Sequence, residues 1–220
     1  MISRLHVITQ DLDNFSHIDQ VELACKGGAD WVQLRVKNTS YEDWITLAKD
    51  AIKICRKFGT KLIINDSVQV ALEVDADGVH LGKDDMPIHS ARVLLGKDKI
   101  IGGTGTTMED IIHIHESGAD YAGIGPFKFT TTKKNLSPLL GLKKYREFIQ
   151  QLQAQKIDIP IIAVGGILVS DVHSLLGMGI FGIAVSSAIF SSAFPNQALY
   201  EFQKTIQFNL ENNSYVVNNS

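Results

Sequence analysis

Two cysteines and five prolines are all that the 220 residues hold of either type. So few thiols exclude a disulfide framework. So few prolines exclude a proline-rich spacer. Neither sign of charge is in excess, with 21 Lys and Arg against 24 Asp and Glu and a formal net charge of −3. A nucleic-acid module would show a basic surplus. A disordered chain would pair low hydrophobicity with high charge, which does not describe a chain that is 45% hydrophobic and 20% charged. No apolar run approaches the ~18 residues that suggest a membrane span. The opening MISRLHVITQ lacks a signal peptide's apolar core and small-residue cleavage site. The expectation is a cytoplasmic, soluble chain whose partners are small molecules rather than nucleic acid or membrane, with homo-oligomer formation left open.

Glycine is plentiful, at 18 residues, and falls in short spaced groups. From Tyr41 to Phe58 the apolar residues Trp44, Leu47, Ala48, Ala51, Ile52, Cys55 and Phe58 share one helical face. Ser40 with Asp43 resembles a capping box, and Gly59 supplies the stop. Cys55, and Cys25 on an earlier helix, read as core thiols. Short apolar runs alternate with such helices: Leu5–Thr9, Trp31–Arg35, Lys61–Ile64, Gly78–Leu81, Lys99–Gly102, Tyr121–Gly125, Ile161–Val164 and Gly182–Val185. Continuous apolar runs suit strands buried on both faces of a parallel sheet.

A repeat supports the count. Asp30, Asp77 and Asp120 each end a short Gly/Ala/Asp turn just before a strand, at intervals of 47 and 43 residues. Gly179, Ile180 and Phe181 take that place before the last strand, with the Asp lost. Each interval holds two βα units, and eight units close into an α/β (βα)8 TIM barrel. An open doubly wound sheet is the alternative. One catalytic domain is expected over residues 1–208, and a polar, disordered tail over 209–220.

Sites on such barrels lie at the C-terminal ends of the strands. After the second strand, Gln33, Arg35 and Lys37 share one side and suit an anionic ligand such as phosphate. Asn65 and Asp66 follow the third strand; His80, Lys83, Asp84 and Asp85 belong to the fourth strand and its loop. Carboxylates from neighbouring strands favour Mg2+ over zinc. Thr104 stands in a glycine-rich stretch after the fifth strand, where it could bind phosphate or cap a helix. The loop after the sixth strand carries Thr130, Thr132 and Lys133 and has the character of a lid. Gly166, Ser186 and Ser187, after strands seven and eight, offer a neutral phosphate subsite.

Six motifs in order are similar to those of the thiamine phosphate synthase family: QLRVK at 33–37, IIND at 63–66, DGVHLGKDD at 77–85, the 118–134 segment with GADYAGIGPF and TTTKK, AVGGI at 163–167 and AVSSAI at 184–189. The resemblance covers roughly residues 4–205. It implies a transferase that joins 4-amino-2-methyl-5-(diphosphooxymethyl)pyrimidine to hydroxyethyl-methylthiazole phosphate, or to its carboxylated form. The products are thiamine phosphate and diphosphate, plus CO2 from the carboxylated thiazole. By that resemblance Gln33 and Asn65 contact the pyrimidine diphosphate, and Arg35, Lys37 and Lys133 are the catalytic cations on its anionic end. Asp66 and Asp85 hold Mg2+, and Thr104 stands where the family commonly has Ser. Thr130 and Thr132 face the thiazole, and Gly166, Ser186 and Ser187 bind its phosphate. Val36, Lys83 and Phe129 depart from residues common in the family (Glu, Gln and Pro), but none of them removes a binding group. The alternatives are a thiazole tautomerase of the same fold and a non-catalytic barrel that binds thiazole or thiamine phosphates. Neither needs a diphosphate subsite with Mg2+.

Overall fold

Polar caps and glycines punctuate the chain. The side chains of Ser16, Ser40, Ser67 and Thr107 each accept the backbone N–H three residues on, opening α1 (His17–Lys26), α2 (Tyr41–Phe58), α3 (Val68–Glu73) and α5 (Met108–Glu116). Gly59, at φ 72°, ends α2 in the left-handed conformation that glycine adopts without strain. Within α2, Ala48, Ala51, Ile52 and Cys55 are buried as their spacing predicts, and Ile45 joins them. Phe58 departs from that face and is exposed. The Cys25 and Cys55 thiols are buried core groups, with Sγ atoms 3.9 Å apart between α1 and α2.

The computed structural model describes residues 1–37, 39–129 and 139–217, with side chains through 212. The strands β1 (Leu5–Ile8), β2 (Trp31–Leu34), β3 (Lys61–Asn65), β4 (Gly78–Leu81), β5 (Ile100–Gly105), β6 (Tyr121–Ile124), β7 (Ile161–Val164) and β8 (Gly182–Val185) pair in order, all parallel, into a closed barrel. β8 returns to β1 with Leu5 opposite Ile183. The fold is therefore the single (βα)8 barrel, and the open-sheet alternative is excluded. The helices α4 (Ile88–Leu95), α6 (Gly141–Gln155), α7 (Val169–Gly177), α8 (Ser187–Phe190) and α9 (Pro195–Val217) complete the outer layer. α9 runs through the expected tail boundary at 208. Asn209 is buried, and its Oδ1 lies 2.5 Å from His173 Nδ1 on α7, so the tail begins inside a docked helix.

The base of the barrel explains the sequence repeat. The Asp77 carboxylate accepts the Leu62 backbone N–H at 2.8 Å, and Asp120 accepts that of Ile101 at 2.7 Å. Each aspartate thus ties the strand it opens to an earlier one. Asp30 accepts from the Ser3 hydroxyl at 2.6 Å. In the fourth place the Arg4 guanidinium lies over the Phe181 ring, 4.1 Å from its centroid, and donates to the Phe181 carbonyl at 2.7 Å.

Rings fill the barrel interior. His6 stacks on Trp31 at 4.1 Å, and Tyr121 meets both edge-on. His80 stacks on Tyr121 at 5.4 Å. Ile63, Ile162 and Ala184 complete this inner cluster. Complete burial, reinforced by the nearby His80, pushes His6 down from 6.5 to about 3, against a smaller upward pull from the Ser3 carbonyl. A depressed folded-state value means that the stability due to neutral His6 is full above the unfolded value and is lost as the pH falls from 6.5 to about 3. The gap corresponds to about 5 kcal/mol. In urea unfolding across this window, His6→Gln is expected to lose less stability on acidification than the parent chain. Parallel curves would disprove this account of His6.

Candidate active site

The mouth of the barrel opens where β2, β3 and β4 end. Gln33, buried on β2, donates from Nε2 to Asn65 Oδ1 at 2.7 Å across the β2–β3 pair. The next residue, Asp66, takes φ 69°, a left-handed conformation uncommon outside glycine but tolerated by Asp and Asn. Its backbone N–H donates to the His80 carbonyl at 2.8 Å, and Ser67 at once caps α3. This turn aims the Asp66 carboxylate at Lys37, whose ammonium pairs with it. Arg35, half-buried at the same rim, is anchored by its backbone N–H to Thr9 Oγ1 at 3.0 Å.

Asp85 does not cap α4, which starts at Ile88 after Pro87. Its carboxylate folds back to accept the Gly82 N–H at 2.6 Å. Burial raises the Asp85 carboxyl above its ordinary value, and the charge and hydrogen bonding of Asp66 raise it further, against the Gly82 N–H and Lys37. The two carboxyl groups therefore face each other, with the Lys37 ammonium paired to Asp66. Lys83 leaves this cluster and pairs with Asp110 at 2.8 Å. Burial acts to raise Asp110, but Lys83 and the N–H groups of Thr106 and Thr107 outweigh it and hold the carboxyl at about 2.

Thr104 requires a correction. It lies on β5 itself, which runs to Gly105, and not in a loop after it. Thr107, not Thr104, caps α5. The Thr104 hydroxyl meets His80 Nε2 at 2.8 Å, inside the barrel.

Across the mouth the groups are neutral. Gly165 and Gly166 follow β7 at φ 97° and 65°. The start of the β6 loop lies on them, with Phe127 N–H donating to the Val164 carbonyl at 2.9 Å and Lys128 N–H to that of Gly165 at 3.0 Å. Ser186, two residues beyond the paired Ala184, has a buried Oγ without a hydrogen-bond partner among the described residues. Ser187 opens α8 beside it. A buried hydroxyl lacking a partner beside a glycine turn is suited to an incoming acceptor such as a phosphate oxygen. Thr130, Thr132 and Lys133 lie outside the described residues.

Residues 5–189 match the family model described as thiamine monophosphate synthase. The chain belongs to the thiamine monophosphate synthase family. It is 45% identical over 191 residues to a thiamine-phosphate synthase of Bacteroides fragilis, an alignment covering 87% of this chain and 94% of that one. A thiamine-phosphate synthase of Flavobacterium psychrophilum is 40% identical over 206 residues, covering 94% of this chain and all of the other. Among solved structures, a thiamine phosphate pyrophosphorylase from Pyrococcus furiosus superposes with a TM-score of 0.82 at 32% identity, covering 94% of this chain and 96% of that one. As a thiamine monophosphate synthase family member the chain is a transferase acting on small molecules.

The donor set of this family member fits Mg2+. Among the described residues no group of three or more His, Cys, Asp or Glu forms a metal cage. Two facing carboxylates are what Mg2+ takes from a protein when water and substrate phosphate supply the rest. Among the described residues no helix is long and apolar enough to cross a membrane. The sequence assigns His80 to the fourth strand and its loop, but not its bonds to Thr104 and Tyr121. Those contacts join β4, β5 and β6, and no local spacing announces them.

Proposed function

We propose that this barrel joins 4-amino-2-methyl-5-(diphosphooxymethyl)pyrimidine to hydroxyethyl-methylthiazole phosphate, or its carboxylated form, releasing diphosphate and thiamine phosphate, and CO2 where the thiazole is carboxylated. The observation that carries the reading is the grouping of Lys37 with the facing carboxylates Asp66 and Asp85, beside the Gln33–Asn65 pair. A thiazole tautomerase or a passive binder has no use for such a cluster.

In this reading Gln33 and Asn65 hold the pyrimidine, while Arg35, Lys37 and Lys133 take the diphosphate. Gly166, Ser186 and Ser187 bind the thiazole phosphate, and Thr130 and Thr132 face the ring. Asp66 and Asp85 would hold Mg2+, which when bound supplies positive charge that stabilises the leaving diphosphate. The 4-amino group can feed electrons toward the reacting methylene carbon, so a dissociative departure needs no enzyme nucleophile. The protein's part is to present cations where negative charge grows, to fix the thiazole nitrogen in line with the carbon, and to exclude water that would trap the cation. A cytoplasmic setting goes with these soluble substrates.

The test is a coupling assay with both substrates, with Mg2+ or with excess chelator. Thiamine phosphate is expected only with the metal. No product from folded protein and intact substrates would overturn the synthase reading in favour of the tautomerase.

A further inference from the structure

Two glycines make room for a polar relay inside the barrel. A Cβ at Gly102 would overlap the Tyr121 ring, and one at Gly123 would lie 2.9 Å from His80 Cε1. The relay has three members on adjacent strands. The Tyr121 hydroxyl lies 2.9 Å from His80 Nδ1, and His80 Nε2 lies 2.8 Å from Thr104 Oγ1. Tyr121 is 1% exposed, and burial raises its phenol well above the ordinary range, so it keeps its proton. Among the described residues His80 is its only hydrogen-bond partner. A buried phenol O–H left without an acceptor carries the full desolvation penalty. It therefore donates to Nδ1. A neutral imidazole that accepts at one nitrogen donates at the other, so Nε2–H donates to the Thr104 oxygen. The Thr104 proton is then left to point away from His80.

We infer that Tyr121 and His80 are positioning residues that fix the polarity of Thr104, so that its hydroxyl donates a hydrogen bond to the pyrimidine diphosphate. The inference rests on the proposed function for that substrate, and takes Thr104, a candidate phosphate binder by sequence, to face it. With the opposite polarity Thr104 would donate to His80 and present only lone pairs to the anionic substrate. Tyr121 and His80 act through Thr104.

Two measurements test this. The first is the 15N spectrum of histidine-labelled full-length protein, with His80 assigned by loss of its signals in His80→Gln. Nδ1 is expected unprotonated and Nε2 protonated; the reverse tautomer, or a doubly protonated ring, overturns the relay whether or not the chain is a synthase. The second is a double-mutant cycle. Tyr121→Phe keeps the ring packed on Trp31 and His6 and removes only the donor. It is expected to lower kcat about tenfold, the worth of one ordinary hydrogen bond, with the KM for thiazole phosphate unchanged. In a Thr104→Val background the same change should cost nothing further, and Thr104→Ser should retain the Tyr121 effect. Additive losses would overturn the relay. Absence of thiamine phosphate with the unmodified chain would instead count against the function, leaving the tautomer measurement to decide the relay.

Discussion

Asp66→Asn is expected to lower turnover by about 10²–10³-fold, the range seen when one preorganised electrostatic group is removed, while leaving the thermal midpoint nearly unchanged. The choice of asparagine follows from the backbone. Residue 66 takes φ 69°, and Asn accepts the left-handed region nearly as readily as Asp. Asp66→Ala should lose as much activity, but should also lose about 1–2 kcal/mol of stability, because a residue with a plain Cβ is strained there. Comparing the two variants separates the charge from the turn. The Asp66 charge is also one of the influences that raise Asp85, so removing it should move the Asp85 carboxyl back toward its ordinary value. Full activity in Asp66→Asn would remove the metal assignment.

Gly166→Ala is expected to raise the KM for thiazole phosphate by at least about tenfold, the cost of a lost charge-assisted hydrogen bond. The KM for the pyrimidine diphosphate should stay within a small factor. A Cβ at residue 166 would lie 2.5 Å from the Phe129 carbonyl oxygen and 3.0 Å from both the Lys128 Cβ and carbonyl oxygen, at a φ of 65°. Neither the backbone of the 128–129 segment nor the turn can absorb that contact without moving. Moving either one would displace the turn proposed to bind the thiazole phosphate. Gly177→Ala is the control, since a Cβ there meets nothing within 4 Å. Equal KM changes for both substrates in Gly166→Ala would refute a separate thiazole-phosphate subsite.

Most of the barrel was legible because each strand is a short apolar run and each helix has its own punctuation. β5 was cut short at Gly102, since Gly102, Gly103 and Gly105 look like loop residues by propensity. They remain strand because neighbouring side chains occupy the Cβ space: the Tyr121 ring at Gly102, Ile88 and Ile114 at Gly103. That error moved Thr104 off its strand and hid its bond to His80. Phe58 fitted the apolar face of α2 by spacing, yet it falls at the helix end, beyond the core that the helix covers. The Asn-rich tail looked like solvent-facing chain, yet Asn209 is buried and finds a partner in His173, more than a hundred residues from the first strands that define the core pattern. The meeting of Lys37 with Asp66 and Asp85 was readable because the fold places every strand end at one rim. The left-handed turn at Asp66 was not, because a side chain says little about φ when Asp is tolerated in either region.

The base of the barrel has one junction unlike the rest. At two other junctions an aspartate at a strand's start accepts a backbone N–H of the preceding strand, as Asp77 and Asp120 do. Where β8 meets β1 that device is replaced by Arg4, held on both the ring and the carbonyl of Phe181. A ring of strands has a shear number, and a slip at any one junction changes it for the whole circuit. The seven other junctions join strands that follow one another along the chain, each tied by its own connection. The seam joins the first strand to the last, with no connection to limit it. Arg4 and Phe181 therefore act as a two-part key for ring closure: one stacked plane and one hydrogen bond, matched together in a single alignment of the chain's two ends.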